Sequence, residues 1–318
     1  MADAERVTIE VTDGVADVRL NRPEKRNALD PAMFAGLVDA SERLAKDPGV
    51  RAVVLSGEGK SFCAGLDMAS FQAMAANEPR MPSAGTLAER SDDRPANHGQ
   101  QAAYGWTTLP VPTIAAVHGH ALGGGLQVAL GCDIRIVAPD AQLSVMEIRW
   151  GLVPDMTGTQ MLARLLPLDV AKELVWTGRV VSGEEAVALG LATSLSDDPR
   201  AAALELARRL AAKNPYAIRA GKRLLNQAGT VSDARQFRDE STEMGALIGS
   251  PNQQEAVRAE FEGRDPVFAQ EGDGPPHRPD GPVLLEADDL GQRAEDLTRL
   301  ATDAGDDLVA LLSERRAP

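Results

Sequence analysis

Residues 115–130 have the sequence Ala115-Ala116-Val117-His118-Gly119-His120-Ala121-Leu122-Gly123-Gly124-Gly125-Leu126-Gln127-Val128-Ala129-Leu130. The apolar start predicts a strand, and the end predicts a helix that opens on three glycines. Glycine costs a helix interior ~1 kcal/mol relative to alanine, so this start needs a physical reason. Bare backbone N–H groups at the positive end of a helix could bind a ligand oxygen. A tight, closely packed corner explains the same spacing equally well.

A second strand-to-helix turn follows the same pattern earlier in the chain. Residues 50–55 predict a strand, and the sequence then continues as Gly59-Lys60-Ser61-Phe62-Cys63-Ala64-Gly65-Leu66-Asp67. If the two turns lie side by side, two N–H groups can point at one oxygen and form an oxyanion hole. The Gly59-Lys60-Ser61 triplet ends like a phosphate-binding P-loop, but the first glycine of that motif would fall on Val54. The P-loop interpretation is therefore rejected.

The rest of the chain predicts an α/β fold. Residues 7–20 alternate apolar and polar side chains around a central turn, which indicates a β-hairpin. Asp30 followed by Pro31 predicts the start of a helix. Further strands are expected at residues 112–118 and 133–137, and the pattern is mainly helical after Pro167. Short strands that alternate with helices are typical of α/β layers.

The composition excludes several classes of function. The net charge of −14 at pH 7 disfavours general binding to nucleic acid or to an anionic membrane. Cys63 and Cys132 are too few for a disulfide framework, and neither a signal peptide nor an apolar run of ~18 residues is present. A cytoplasmic location is therefore predicted. His118 and His120 have no further ligands nearby, which predicts hydrogen bonds around the glycine turn and no metal site.

Several motifs, in their order along the chain, resemble the crotonase (enoyl-CoA hydratase/isomerase) superfamily over roughly residues 5–268. These motifs are Asn21-Arg22-Pro23, Asn27-Ala28-Leu29, residues 61–67, residues 121–126, Cys132-Asp133, Thr177-Gly178, Ala186 and Gly190-Leu191. The resemblance implies a spiral of ββα repeats that acts on acyl-CoA thioesters, with coenzyme A as part of the substrate and no separate cofactor. It also implies that the backbone N–H groups of Leu66 and Gly124 form the oxyanion hole.

The resemblance, together with the composition of the last 50 residues, divides the chain into regions. Residues 1–200 are predicted to form the crotonase core with the CoA and acyl site, interrupted by a mobile insertion at residues 75–103 that lines the acyl pocket. Residues 201–268 are predicted to be a helical trimerisation region, which implies a homo-oligomer, either a trimer or a hexamer. Residues 269–318 are predicted to be a Pro/Gly linker and an acidic amphipathic helical tail. That tail could dock on its own subunit, bind a partner or stay disordered.

The acid/base positions depart from those of the two-glutamate hydratases. Gln127 stands where the first glutamate of the family is expected, and an amide does not exchange protons near neutral pH. Glu147 matches the second glutamate, and its apolar neighbours are expected to raise its pKa. Asp155 stands where hydratases usually carry glycine. It either assists Glu147 or caps the helix that begins near Thr157.

The contacts to coenzyme A are placed by the same resemblance. One basic segment lies near the family's nucleotide-contacting region, and a basic residue near the end of the helical region is expected to reach a neighbouring subunit. The predicted CoA-binding residues are Arg22, Lys25, Arg26, Ala64, Asp67 and Arg264.

These residues favour one reaction over two alternatives. Moving a double bond needs one carboxylate that takes a proton from one carbon and returns it to another. Isomerisation of an enoyl- or dienoyl-CoA, with Glu147 as acid/base and Asp155 assisting, is therefore the leading hypothesis. The first alternative is hydration by Glu147 and Asp155, with Gln127 holding the water. The second is an acyl-CoA-binding protein without catalysis.

Overall fold

A computed structural model describes residues 5–75 and 95–269 of the 318-residue chain. Its strands are β1 (Val7–Thr12), β2 (Val15–Leu20), β3 (Ala52–Gly57), β4 (Thr113–Val117), β5 (His120–Leu122), β6 (Ile134–Val137), β7 (Gln142–Ser144), β8 (Val181–Ser182) and β9 (Ser194–Leu195). Its helices are α1 (Pro31–Ala45), α2 (Met68–Ala75), α3 (His98–Thr108), α4 (Gly124–Gly131), α5 (Gly158–Leu165), α6 (Leu168–Thr177), α7 (Gly183–Leu189), α8 (Pro199–Ala211), α9 (Pro215–Gln227), α10 (Asp233–Leu247) and α11 (Pro251–Glu262). Short 3₁₀ helices occupy Pro23–Lys25 and Glu147–Trp150.

The strands form two sheets, and the units that begin at β4 and β6 each contribute one strand to each sheet. The larger sheet has the order β1-β2-β3-β4-β6-β9, and the smaller has the order β5-β7-β8. Pairing in the larger sheet is parallel from β2 to β9, and β1 is antiparallel to β2. The units β4-β5-α4 and β6-β7-α5 are ββα repeats, with their first strands in the larger sheet and their second strands in the smaller one. The predicted α/β spiral of ββα repeats is confirmed.

The central strands β3 and β4 of the larger sheet are buried on both faces, and their residues alternate between two apolar clusters. Val53 and Leu55 pack into the main core with residues of α1, α3 and α4. Ala52 and Val54 point the other way and pack against the alanines of α8. Parallel sheets need this two-sided cover, which explains why their strands are apolar throughout.

The hairpin turn between β1 and β2 and the start of α1 form where the sequence predicted them. The hairpin turns at Asp13 and Gly14, whose φ angles are 51° and 78°, as a two-residue turn between right-twisted strands requires. The backbone N–H of Met33 donates to Asp30 Oδ1 at 2.8 Å, so Asp30 is the N-cap of α1. A cap of this kind stabilises a helix by ~1 kcal/mol.

The insertion predicted at residues 75–103 overlaps the start of a helix. Helix α3 begins at His98, inside that range, because Asn97 and Gln100 form a reciprocal capping box. The Gln100 N–H donates to Asn97 Oδ1 at 2.8 Å, and the Asn97 N–H donates to Gln100 Oε1 at 3.0 Å. Residues 76–94 lie outside the described residues, as does nearly all of the predicted linker and tail.

Four helices, α8 to α11, cover most of residues 201–268, for which a helical trimerisation region is predicted. The first of them belongs to the core, because Ala203, Ala207 and Ala211 face the larger sheet. The three that follow expose large apolar side chains, among them Phe237, Met244, Ile248 and Phe261. Of the helices described, none is long and apolar enough to cross a membrane.

Candidate active site

The two glycine-containing turns lie side by side, as their sequences predicted. A short parallel bridge joins Cys63 to Ala121. Within it, the Cys63 N–H donates to the His120 carbonyl at 2.9 Å, and the Leu122 N–H donates to the Cys63 carbonyl at 3.1 Å. The bridge fixes the loop after β3 against the start of α4.

The two predicted oxyanion amides sit on either side of this bridge. Gly124 is the first residue of α4, and Leu66 follows Gly65, whose φ of 88° favours glycine. A Cβ on Gly65 would lie 2.6 Å from the Leu122 carbonyl oxygen and 3.9 Å from Gly124 N, so the two turns approach closely. In the part of the chain that the structure describes, neither the Leu66 N–H nor the Gly124 N–H donates a hydrogen bond. Both are therefore available to a ligand oxygen, as an oxyanion hole requires.

The close approach of the two turns predicts a large effect for Gly125→Ala. The added Cβ would lie 2.4 Å from the Cys63 carbonyl oxygen, so the two turns must move apart. We expect a loss of ~1–3 kcal/mol in the free energy of unfolding, measured by chemical denaturation. Gly245→Ala in α10 is the matched control. Its Cβ would meet no atom within 4 Å, and we expect it to be neutral or to stabilise by ~0.4–1 kcal/mol. Equal stability of the two variants would contradict this packing account.

Glu147 lies against the glycine turn before α4, and one of its carboxylate oxygens has no hydrogen-bond partner among the described residues. It opens the 3₁₀ helix after β7, and only 9% of its surface is exposed. A Cβ on Gly123 would lie 3.4 Å from Glu147 Oε1, so the carboxylate is next to the residue that precedes Gly124. Among the described residues, buried Glu147 Oε2 has no hydrogen-bond partner. An orphaned buried carboxylate oxygen is costly and is typical of a group that awaits a ligand or a proton.

The environment of Glu147 raises the pKa of its carboxyl group. Burial is the main cause, and the negative charge of Asp155 adds to it. Hydrogen bonds from its own backbone N–H and from Gln127 act in the opposite direction but are weaker. A raised pKa suits a carboxyl group to accept a proton and to return it.

Gln127 holds Glu147 in place. Its side chain is 1% exposed, and its Nε2 donates to Glu147 Oε1 at 2.6 Å. Its Oε1 accepts from the N–H groups of Met156, at 2.8 Å, and Gly158, at 3.0 Å. The amide oxygen is therefore occupied by backbone donors, and the amide joins the start of α5 to the acid/base residue.

The family model for enoyl-CoA hydratase/isomerase matches residues 10–271, most of the chain. The chain belongs to this family. It is 34% identical over 269 residues to the "probable enoyl-CoA hydratase" of Bacillus subtilis strain 168, covering 83% of this chain and 99% of that protein. It is 36% identical over 223 residues to the (E)-benzylidenesuccinyl-CoA hydratase of Thauera aromatica, covering 68% and 80%. The crystal structure of an enoyl-CoA hydratase from Polaromonas sp. JS666 matches with a TM-score of 0.74 and 29% identity, covering 83% and 99%.

Membership of the enoyl-CoA hydratase/isomerase family makes this chain an acyl-CoA enzyme of the crotonase superfamily, as the sequence motifs predicted. An acyl-CoA thioester is therefore the class of substrate. The family comprises both hydratases and isomerases, so the chemistry of this member depends on its own residues.

Asp155, the second predicted acid of this family member, is exposed. It lies close enough for its charge to raise the pKa of Glu147. The N-cap position of α5 is occupied by Thr157 rather than by Asp155, and the Thr157 side chain makes no capping hydrogen bond. Thr157 has a φ of 68°, which is strained for a β-branched residue. The structure thus brings Asp155, Gln127 and Glu147 together around one short loop.

The predicted CoA-binding residues of the family member fall into three places. Lys25 and Arg26 are exposed beside the turn at residues 59–67, where the Ala64 N–H donates to the Arg26 carbonyl at 3.0 Å. Arg22 and Asp67 bind each other and are mostly buried. Arg264 lies after α11, where Glu255 and Glu262 bind its guanidinium. Binding of coenzyme A at each of these places stays a prediction.

His118 and His120 lie within hydrogen-bond distance of neighbouring groups, and Cys63 is buried. His120 Nδ1 lies 2.9 Å from Ser61 Oγ, and His118 Nε2 lies 3.0 Å from the Gly59 carbonyl oxygen, so the predicted hydrogen bonds around the turns are present. Burial raises the pKa of the Cys63 thiol to about 12, which makes it unreactive. Within residues 5–75 and 95–269, no cluster of His, Cys, Asp and Glu could hold a metal ion.

Sequence reasoning missed an aromatic contact beside the site. The rings of Phe71 and Trp150 stack with their centroids 4.5 Å apart and an interplanar angle of 27°. Phe71 lies in α2, shortly after Leu66, and Trp150 ends the 3₁₀ helix that Glu147 begins. The stack links the oxyanion side of the site to the acid/base side. Its signal in the sequence was the presence of two aromatic residues near the site in a chain with only 3% aromatics.

Proposed function

We propose that this protein isomerises the double bond of an enoyl- or dienoyl-CoA, with Glu147 as the single acid/base. The observation that carries the proposal is the bond between Gln127 Nε2 and Glu147 Oε1 at 2.6 Å. At the place where a two-glutamate hydratase has its first glutamate, this chain has an amide whose oxygen is already bound to two backbone N–H groups. That amide can orient Glu147, but it cannot supply or remove a proton.

The proposed reaction uses the two oxyanion amides and one carboxyl group, which acts first as a base and then as an acid. The thioester oxygen of a 3-enoyl-CoA accepts hydrogen bonds from the N–H groups of Leu66 and Gly124, which acidifies C2. Glu147 Oε2 removes a proton from C2, and the electron pair forms a dienolate whose negative charge rests on the thioester oxygen. The same carboxyl group then returns the proton to C4, and the double bond moves to C2–C3. No water is consumed, and Glu147 ends as it began.

A defined panel of substrates tests this proposal. Purified full-length protein is incubated in D₂O with 2-enoyl-, 3-enoyl- and 2,5-dienoyl-CoA, and the products are followed by mass spectrometry and NMR. We expect conversion of a 3-enoyl- or 2,5-dienoyl-CoA to its conjugated isomer, with deuterium exchange next to the carbonyl. If acyl-CoA binds but neither exchange nor product is seen with any substrate, the protein is a non-catalytic binder and the proposal fails.

Hydration is the second candidate function, because Asp155 provides a second carboxylate near Glu147. Its charge contributes to the raised pKa of Glu147, so the two groups are electrostatically coupled. In this case 2-enoyl-CoA takes up water to give 3-hydroxyacyl-CoA, with one carboxylate activating the water. Loss of hydration in Asp155→Asn, with exchange at C2 retained, would favour this candidate.

The coupling to Asp155 also predicts a pH dependence. Glu147 must be ionised to accept a proton, so kcat/KM should fall as the pH falls through an inflection above 4.5, the ordinary value for glutamate. In Asp155→Asn a neighbouring negative charge is lost, ionisation of Glu147 becomes easier, and the inflection should move to lower pH. Salt should reduce the difference between the two proteins because Asp155 is exposed. Asp39→Asn on the exposed face of α1 is the control. A shift to higher pH in Asp155→Asn would contradict the account.

We further propose that α9 to α11 assemble the protein into a homo-oligomer, a trimer or a hexamer. Their large exposed apolar side chains support this proposal, since contiguous apolar surface on a soluble protein is commonly an interface. The fractional exposures are 62% for Phe237, 58% for Met244 and 67% for Ile248. Light scattering measures the oligomeric state directly.

A cytoplasmic location likewise stays a prediction.

A further inference from the structure

The Arg22 side chain binds other residues of the protein. Its side chain is 12% exposed. Its Nη1 donates to Asp67 Oδ2 at 2.6 Å and to the Ala28 carbonyl at 3.2 Å, and its Nε lies 3.5 Å from Asp30 Oδ2. A guanidinium enclosed in this way presents little surface to a phosphate, although Arg22 lies in the segment where the resemblance places contacts to coenzyme A.

The backbone that carries Arg22 is itself fixed. The Arg22 N–H donates to Asn27 Oδ1 at 2.8 Å, and the Asn27 N–H donates to the Arg22 carbonyl at 3.0 Å. Asn27 Nδ2 in turn donates to the carbonyls of Glu58, at 2.9 Å, and Ser61, at 2.8 Å. Arg22 is thus anchored to the same turn that it contacts through Asp67.

Asp67 connects Arg22 to the start of α2. Its carboxylate is 14% exposed and accepts from Arg22 through Oδ2 and from the Ala69 N–H, at 2.9 Å, through Oδ1. Burial alone would raise the pKa of Asp67. The hydrogen bonds from Arg22 and Ala69 outweigh burial and hold the pKa below its ordinary value, so the carboxylate stays charged.

The peptide groups on either side of Leu66 are both hydrogen-bonded to Leu29. The Leu29 N–H donates to the Gly65 carbonyl at 2.8 Å, and the Asp67 N–H donates to the Leu29 carbonyl at 3.1 Å. The Leu66 N–H belongs to the first of these peptide groups, whose carbonyl Leu29 holds, and Asp67 N anchors the second group one residue further on. Asp67 is in turn held by the ion pair with Arg22 and by the first turn of α2.

The charge of the pair matters as well as its geometry. An isolated carboxylate one residue from Leu66 would repel the negative charge that develops on the thioester oxygen. The Arg22 guanidinium, 2.6 Å from Asp67 Oδ2, compensates the charge of the carboxylate. Asp67 can therefore hold the turn in place without adding negative charge next to the thioester oxygen.

We propose that Arg22 and Asp67 form a positioning pair, which aims the Leu66 N–H at the thioester oxygen, rather than a contact to coenzyme A. This inference rests on the proposed function, since it assumes that Leu66 supplies an oxyanion amide. Neither residue touches the reacting atoms. Loss of the pair should weaken stabilisation of the enolate more than binding of the substrate.

The test separates kcat from affinity in full-length protein. Asp67→Asn removes the charge of the carboxylate, and Arg22→Lys keeps the positive charge but loses the planar guanidinium. We expect kcat to fall ~10- to ~100-fold in Asp67→Asn, because a misdirected oxyanion donor loses much of its effect. The Kd for free coenzyme A should stay within about 2-fold of the wild-type value, because the pair does not bind it. Arg22→Lys should lie between Asp67→Asn and wild type in kcat.

Asp39→Asn is the matched control, since it neutralises the aspartate of an exposed Arg–Asp pair, Arg43 with Asp39. It should leave both kcat and the Kd unchanged. A ~10-fold weaker Kd for coenzyme A with unchanged kcat would overturn the inference and restore a CoA-binding role. Unchanged kcat in both Arg22→Lys and Asp67→Asn would also overturn it. If Asp67→Asn does not fold, as judged by circular dichroism, Arg22→Lys alone decides.

Failure of this inference differs from failure of the proposed function. If wild-type protein exchanges the C2 proton and Glu147→Gln does not, the proposed function stands whatever the variants of Arg22 and Asp67 do. If wild-type protein neither exchanges nor converts any acyl-CoA, the proposed function itself is wrong.

Discussion

Glu147→Gln should lower the rate of double-bond isomerisation by ~10²–10⁴-fold, the usual contribution of a positioned acid/base group. The substitution keeps the size of the side chain and an oxygen that can accept from Gln127 Nε2, which lies 2.6 Å from Glu147 Oε1. It removes the only function that the proposal assigns to Oε2, the transfer of a proton. The Kd for acyl-CoA should therefore change little, and kcat should carry nearly the whole effect.

Two quantities are measured for each variant: the turnover rate with a 3-enoyl-CoA as the substrate, and the affinity for a saturated acyl-CoA. Glu173→Gln is the matched control, because Glu173 is an exposed glutamate of α6 that pairs with Arg179. It should behave as wild type. If Glu147→Gln retains turnover, Glu147 is not the acid/base residue. A loss of acyl-CoA binding equal to the loss of turnover would indicate a structural role instead.

Gln127→Glu should increase hydration of 2-enoyl-CoA by ~10-fold or more, because general acid–base catalysis by a second carboxyl group becomes available. One oxygen of the new side chain can accept from the N–H groups of Met156 and Gly158, as Gln127 Oε1 does. The other oxygen would replace Nε2, at 2.6 Å from Glu147 Oε1. Two carboxyl groups this close share one proton, so one can activate water while the other donates a proton.

Gln160→Glu makes the same chemical change at an exposed position of α5 and should leave the hydration rate unchanged. Product analysis distinguishes 3-hydroxyacyl-CoA from an isomerised 2-enoyl-CoA. An unchanged hydration rate in Gln127→Glu would count against the view that the missing carboxylate limits this reaction.

The sequence predicted the parts of the site that are continuous in the chain. The glycines before α4 and the turn from Gly59 to Asp67 each carry their own pattern, and the substitution of Gln127 for a glutamate is visible once the family resemblance is found. The strands β5, β7, β8 and β9 have only two or three residues. Such strands are too short to show a period of two, so only the structure locates them.

The contacts that decide the roles of these residues are not local. Gln127 and Glu147 are separated by 20 residues, and Arg22 and Asp67 by 45. No periodicity in either segment indicates that these side chains meet, because the fold brings them together through bridges between separate repeats. The sequence therefore predicted candidate site residues, and the structure shows which side chains meet: Gln127 binds Glu147, and Arg22 binds Asp67.

Transfer of deuterium from C2 to C4 tests the central claim most directly. Purified protein in ordinary water is given 3-enoyl-CoA that carries deuterium at C2, and the 2-enoyl-CoA product is examined by NMR after a single turnover. A single carboxyl group whose Oε2 is buried should return part of the deuterium to C4 before it exchanges with solvent. Deuterium at C4 of a conjugated product is the predicted result. Formation of 3-hydroxyacyl-CoA, or a product whose C4 carries only solvent protium, would contradict proton transfer by Glu147 alone.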